Sequence, residues 1–262
     1  VNAPWCPTRW PVSGPRLVRP RSAIRLPIPQ PVPTRMRTDW RSSATATLLM
    51  LSMLGASSSI GHAQSDTIVV SAAGEAGTVT RLSDAVARVP RYGVVRVRAG
   101  IYREPTVLVR QPLTLVGDSG AVLDGEGQRE LLVVGADSVT VRGLTFRNTG
   151  TSQATDRAAL RFVEAAGCLV EYNRFENTLF GIYLQRASAC LVRRNVLQGM
   201  AGSQTVTGNG LHSWSSRDVV FEDNVIDGHR DGIYFEFTVG GVARRNISRH
   251  SRRYGLHFMF SD

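Results

Sequence analysis

The chain has 262 residues, 42% of them hydrophobic and 20% charged, with a formal net charge of +10 and no lysine. The charge is unevenly spread: eight arginines and one aspartate before residue 64 carry +7, whereas 23 arginines and 20 acids from there on carry only +3. The basic excess therefore belongs to the leading segment, and it gives no ground for a nucleic-acid partner.

Nine of the twelve prolines precede Met36, among scattered arginines and without an apolar period. Residues 1–35 are expected to form no core, as a disordered segment or an upstream extension outside the working protein. Residues 36–63 have the layout of a signal peptide. Arg37 and Arg41 give a basic start, Leu48 to Leu54 an apolar middle, and Gly61, His62 and Ala63 small residues at the cleavage positions. The apolar run is far shorter than the roughly 20 residues a membrane span needs. Cleavage after Ala63 would deliver residues 64–262 to a periplasmic, disulfide-permitting compartment.

Within residues 64–262, Leu82, Ala85, Val86 and Val89 share one helical face, which predicts a short helix capping the open end of a sheet structure. Strand-like apolar segments follow at Ile101 to Leu108, Leu113 to Val116, Ala121 to Leu123, Leu131 to Val134 and Val139 to Phe146. A clearer repeat then sets in. Asn173, Asn195, Asn224 and Asn246 close similar segments, and each is followed by a glycine signature: Gly181-Ile-Tyr, Gly210-Leu-His, Gly232-Ile-Tyr and Gly255-Leu-His.

The period is about 22 residues, with one insertion of about 7 between Val196 and Gly210. Such strands are too short, and too closely spaced, to leave room for crossover helices. They predict an all-β solenoid, a right-handed parallel β-helix, truncated at its C-terminal end because the chain stops just after a strand. The four asparagines then stack one rung apart, about 4.8 Å, as a structural ladder. Asn and Gly at these corners suit a turn in the left-handed region. Cys168 and Cys190 fall one period apart in a single inward column, close enough for a disulfide. Parallel in-register side chains aim their sulfurs poorly at each other, which favours stacked thiols.

All four histidines after residue 64 (His212, His229, His250 and His257) lie in the last 51 residues. The repeat aligns His212, Tyr234 and His257 in one outward column, and Trp214, Glu236 and Met259 in the next. His229 and His250 fall in turns beside that face. Arg244, Arg245, Arg252 and Arg253, with Arg193 and Arg194, form a basic stripe, readable as a solvated face interleaved with acids or as a surface for an acidic partner.

The segments Gly208-Asn-Gly-Leu-His-Ser-Trp214, Gly228-His-Arg-Asp-Gly-Ile-Tyr-Phe-Glu-Phe237 and Arg253-Tyr-Gly-Leu-His-Phe-Met-Phe-Ser261 resemble the NosD family of periplasmic maturation proteins of nitrous oxide reductase. The resemblance spans roughly residues 78–262. It implies a β-helix with further rungs, a non-enzymatic role in handling copper, and partners comprising an ABC transporter permease and ATPase, a lipoprotein copper chaperone and the reductase.

In that setting His257 and Met259, with Glu236, His212, His229 and His250 in reach, offer donors suited to Cu(I). Trp214, Tyr234 and the four C-terminal arginines offer a partner surface. The absence of a tight ligand spacing such as HxxxH favours the plainer reading of the same histidines, as turn and surface residues beside an aromatic stripe. Two further readings stand beside the copper one. The first is a polysaccharide lyase or epimerase acting on uronate polymers, because Asp227-Gly-His-Arg-Asp231 is similar to the acid-histidine-acid motif of alginate epimerases and Tyr234 is a conceivable general acid. The second is a metal-free structural adaptor.

Overall fold

A computed structural model describes residues 67–152 and 155–262. The expected extension at residues 1–35 and signal peptide at 36–63 lie outside the described residues. Every strand pairing is parallel, and the strands stack into three sheets along one axis. The first sheet runs from Thr67–Val70 to Val242–Arg244 with eight strands. The second runs from Gly100–Tyr102 to Ile247–Arg249 with seven, and the third from Val107–Val109 to Tyr254–Met259 with seven. The chain visits the three sheets in turn and climbs one rung per circuit, the architecture of a right-handed β-solenoid.

Alternation explains why three-residue strands suffice. Val192, Leu197 and Ile182 point into one continuous core, while their neighbours Arg193, Gln198 and Tyr183 point out. Like residues meet like along the axis. Phe146 stacks on Phe175 with ring centroids 5.0 Å apart and Phe235 on Phe258 at 5.2 Å, while Phe221 meets Phe235 across the core at 5.1 Å. Leu256 and Phe258 extend the columns of Ile233 and Phe235, but as the last described rung they remain 47% and 49% exposed.

The predicted cap is the helix Leu82–Arg88, which buries Leu82, Ala85 and Val86 against the first rung. Its N-terminus carries no side-chain cap of its own. Glu104, from the corner of the first rung, accepts from the Leu82 and Ser83 backbone N–H groups at 2.5 and 3.1 Å instead. Two expected strands are each split in two. The segment from Ile101 to Leu108 bends at Glu104 and Pro105, and that from Val139 to Phe146 breaks at Gly143, where φ is +72°.

The asparagine ladder is continuous. Asn173 Nδ2 donates to Asn195 Oδ1 (3.1 Å), Asn195 to Asn224 (3.0 Å) and Asn224 to Asn246 (2.9 Å). The left-handed residue at this corner is not the asparagine but the one before it: Tyr172, Arg194, Asp223 and Arg245 all have φ between 53° and 56°. Each is a non-glycine in a disfavoured region, and the bonds of the asparagine beside it hold the corner closed.

The glycine signature marks a different corner. A Cβ on Gly181 would lie 2.6 Å from the Gly210 carbonyl oxygen, one on Gly210 2.7 Å from that of Gly232, and one on Gly232 2.7 Å from that of Gly255. These glycines are required by close approach between rungs, not by a positive φ.

Cys168 and Cys190 are disulfide-bonded, with Cα atoms 4.5 Å apart. The column was read correctly, but the preference for free stacked thiols was not. Both residues sit at the turn from the third sheet into the first, where the chain has left regular pairing and the side chains are free to aim at each other.

Candidate functional site

The third sheet carries the predicted column on its outward face. Tyr183, His212, Tyr234 and His257 are register partners, and so are Gln185, Trp214, Glu236 and Met259 two residues on. The rings of the first column form one stack: Tyr183 to His212 at 4.5 Å, His212 to Tyr234 at 4.8 Å and Tyr234 to His257 at 4.4 Å between centroids, all within 21° of parallel. Rings stacked at rung spacing turn their faces along the axis, so only their edges point outward.

Pointing outward is not the same as being exposed. His212 and Tyr234 are buried, contrary to the expectation of an open surface. A second apolar cluster of Ala158, Leu179, Phe180, Tyr183 and Met200, with Trp214 packed on it, lies over this side of the sheet. Arg161 lies 4.6 Å from the Tyr183 ring centre. Phe180 and Tyr183 were missed as members of this site, although the Gly181-Ile-Tyr183 signature already placed Tyr183 in the column.

Burial pushes the His212 imidazole below its ordinary pKa against the pull of Glu236, so the neutral ring donates through Nε2 to Glu236 Oε2 at 3.2 Å. That hydrogen bond in turn holds the Glu236 carboxyl low. His212 Nδ1 is buried without a partner. Tyr234 donates its hydroxyl to Met259 Sδ at 3.4 Å. His257 Nδ1 lies between Asp231 Oδ2 (3.2 Å) and the Arg253 guanidinium (3.1 Å). Burial alone would raise the Asp231 carboxyl, but its bonds to Arg253 and His257 hold it low.

The other two histidines stand apart. His229, in the turn between Val225–Asp227 and Asp231–Glu236, is fully enclosed, and burial pushes it down to about 4. The Gly208 and Leu179 backbone groups face the ring and oppose that push, but neither ring nitrogen meets them with good hydrogen-bond geometry. His250 is the opposite case, 79% exposed at another corner and paired with Asp227 at 2.9 Å.

The six proposed donors thus do not converge on one point: His212 and Glu236 bond each other, His257 and Met259 are engaged by other residues, and His229 and His250 lie in separate turns. Among the described residues no group of three or more His, Cys, Asp or Glu side chains could hold a metal ion. His257 and Met259 do lie close, one register position apart from Tyr234 and Glu236, but Asp231, Arg253 and the Tyr234 hydroxyl already engage them. The donor set does not fit a resident copper centre.

The acid-histidine-acid motif does not converge either. Asp227 faces His250, His229 is sealed inside, and Asp231 faces Arg253 and His257.

The arginines are largely neutralised. Arg244 and Arg245 pair with Glu222, and Arg245 also with Asp223, on the adjacent rung. Arg253 pairs with Asp231. Arg252 instead donates to the carbonyls of Met200 (3.1 Å), Gly202 (2.6 Å) and Gly228, strapping the last rung to a loop some 50 residues upstream.

The family model of the right handed beta helix region matches residues 130–262. Among curated proteins, the chain is 32% identical over 136 residues to the probable ABC transporter binding protein NosD of Pseudomonas aeruginosa, covering 51% of this chain and 32% of that protein. It is 30% identical over 139 residues to the protein of the same description in Stutzerimonas stutzeri, covering 52% and 32%. The chain therefore spans about a third of the length of these relatives. Among solved structures, an alginate lyase from Paenibacillus sp. superposes with a TM-score of 0.52 at 16% identity, over 69% of this chain and 65% of that one, a likeness of fold alone. By its family match, its rung-by-rung architecture and its NosD-like sequence, the chain belongs to the right-handed β-helix family.

Proposed function

We propose that the chain is an exported, non-enzymatic accessory protein that works beside an ABC transporter in the periplasmic supply of copper to nitrous oxide reductase. The similarity to two proteins described as ABC transporter binding proteins supports the transporter association. Copper is cargo in this reading. It passes between a chaperone lipoprotein and the reductase, and the β-helix supplies the rigid surface on which they meet.

The observation that carries the reading is the outward column itself, in which His257 and Met259 lie two residues apart on one strand, His257 beside Tyr254 and Met259 in register with Glu236. A partner carrying soft metal can meet an imidazole and a thioether there without the scaffold needing a complete ligand set. The scattered orientations of Asp227, His229 and Asp231 argue against lyase or epimerase chemistry, which needs its acid and base to share one cleft.

The test replaces His257 and Met259 together by alanine in the full-length protein, co-expressed with the transporter and the reductase. Retained β-sheet circular dichroism with a lowered copper content of the reductase is expected. A fully metallated reductase overturns the proposal.

A further inference from the structure

The turn from the second sheet to the third changes length from rung to rung. Between Arg174–Thr178 and Phe180–Gln185 it is Leu179 alone. One rung earlier the described residues 148–152 and 155–157 belong to the same turn, and one rung later residues 200–210 do. Two loops therefore flank a one-residue turn, leaving a groove about two rungs, or ~10 Å, across. Its volume is about 670 Å³, within the ~300–1,000 Å³ typical of small-molecule sites.

Leu179, Phe180 and Met200 make the apolar floor, and Asp156 and Arg230 line the sides. Around this face Arg161 pairs with Glu130 and Arg253 with Asp231, while Glu236 accepts a hydrogen bond from the neutral His212. Among the described residues, neither Asp156 nor Arg230 is in a salt bridge, so a carboxylate and a guanidinium line one groove without a direct ionic partner. Arg230 is aimed by its neighbour, donating through Nε to Asn209 Oδ1 at 3.3 Å. The far wall is held by Arg252, through its bonds to the carbonyls of Met200 and Gly202.

We propose that this groove binds a short zwitterionic ligand of peptide type. Its carboxylate meets Arg230, its ammonium group meets Asp156, and its side chains rest on Phe180 and Met200. Opposite unpaired charges about an apolar floor complement such a molecule, and a charge-assisted hydrogen bond at each end fixes its direction. A saccharide fits less well. It stacks on the face of an aromatic ring, and Phe180 lies stacked against Tyr183 and His212, each 5.8 Å away.

The proposal is independent of the copper reading, and calorimetric titration of the full chain tests it. The probes are di-, tri- and tetra-alanine with free termini, the same peptides N-acetylated or C-amidated, and an oligogalacturonate. At least one free peptide should bind with a Kd below about 1 mM and lose about tenfold or more when either terminus is blocked. Arg230→Gln should erase the effect of C-amidation, and Asp156→Asn that of N-acetylation. Arg252→Ala should weaken every free peptide, with the circular dichroism unchanged. Equal binding of free and blocked peptides, no binding of any free peptide, or binding of the oligogalacturonate alone would each overturn it.

Discussion

Asn195 donates its side-chain amide to Asn224 Oδ1 at 3.0 Å, while its own Oδ1 accepts from both the backbone and the side chain of Asn173. Its Nδ2 also reaches the Val170 carbonyl. Asn195→Ala therefore strands two donors of Asn173 at once. At about 1–3 kcal/mol for each unsatisfied buried group, partly relieved by relaxation, a loss of about 3 kcal/mol is expected in urea unfolding. A loss below about 0.5 kcal/mol would show that the ladder is not a stabilising element.

Gly210→Ala should destabilise by about 2–4 kcal/mol, because its Cβ would meet Ile226 Cγ2 at 2.5 Å and the Gly232 carbonyl oxygen at 2.7 Å. Gly127→Ala is the control. There φ is +74° and nothing lies within 4 Å of the added carbon, so only conformational strain of about 1 kcal/mol applies. Thermal unfolding should rank the two variants in that order.

The disulfide closes a segment of 22 residues. Its reduction should cost about 3 kcal/mol, mainly by enlarging the unfolded ensemble. Thiol titration of unfolded protein from an oxidising compartment should find neither Cys168 nor Cys190 free. The double change to alanine should reproduce the loss seen with reductant.

His229 predicts an acid sensitivity with a definite window. The unfolded imidazole takes a proton near pH 6.5 and the folded one only near 4, so between these values the unfolded chain binds more protons. Stability contributed by the neutral ring is complete above about 6.5 and declines as the pH falls toward 4, by about 3 kcal/mol at most. His229→Leu should flatten this part of the profile and cost no more than about 1 kcal/mol at pH 7.5, since the ring's approaches to the Gly208 and Leu179 backbone groups are not well-formed hydrogen bonds. Urea midpoints at pH 7.5, 5.5 and 4.5 measure both effects.

The rungs were legible in the sequence because stacking demands identity. An asparagine bonds its own copy, and a glycine is needed wherever the next rung's carbonyl comes within 3 Å of a Cβ position, so both recur at the period. The columns of His212, Tyr234 and His257 and of Trp214, Glu236 and Met259 followed from the same alignment. What lies over a column does not repeat. The 200–210 loop occurs once, so nothing periodic announced that His212 would be covered or that Met200 would join a second cluster. Arg252 and Glu104 were opaque for a related reason. Each bonds backbone groups of a distant segment, and a backbone acceptor or donor leaves no mark on residue identity.

The bond between Cys168 and Cys190 also changes how the solenoid yields to force. Rungs that touch only their neighbours peel from the ends, each circuit releasing its own length of chain. A crosslink between successive circuits removes the residues between them from the extensible contour, so traction from both termini would stop at one closed circuit. The molecule is thus a rope with one splice near its middle, and pulling it under oxidising and reducing conditions would yield contour lengths that differ by that single loop.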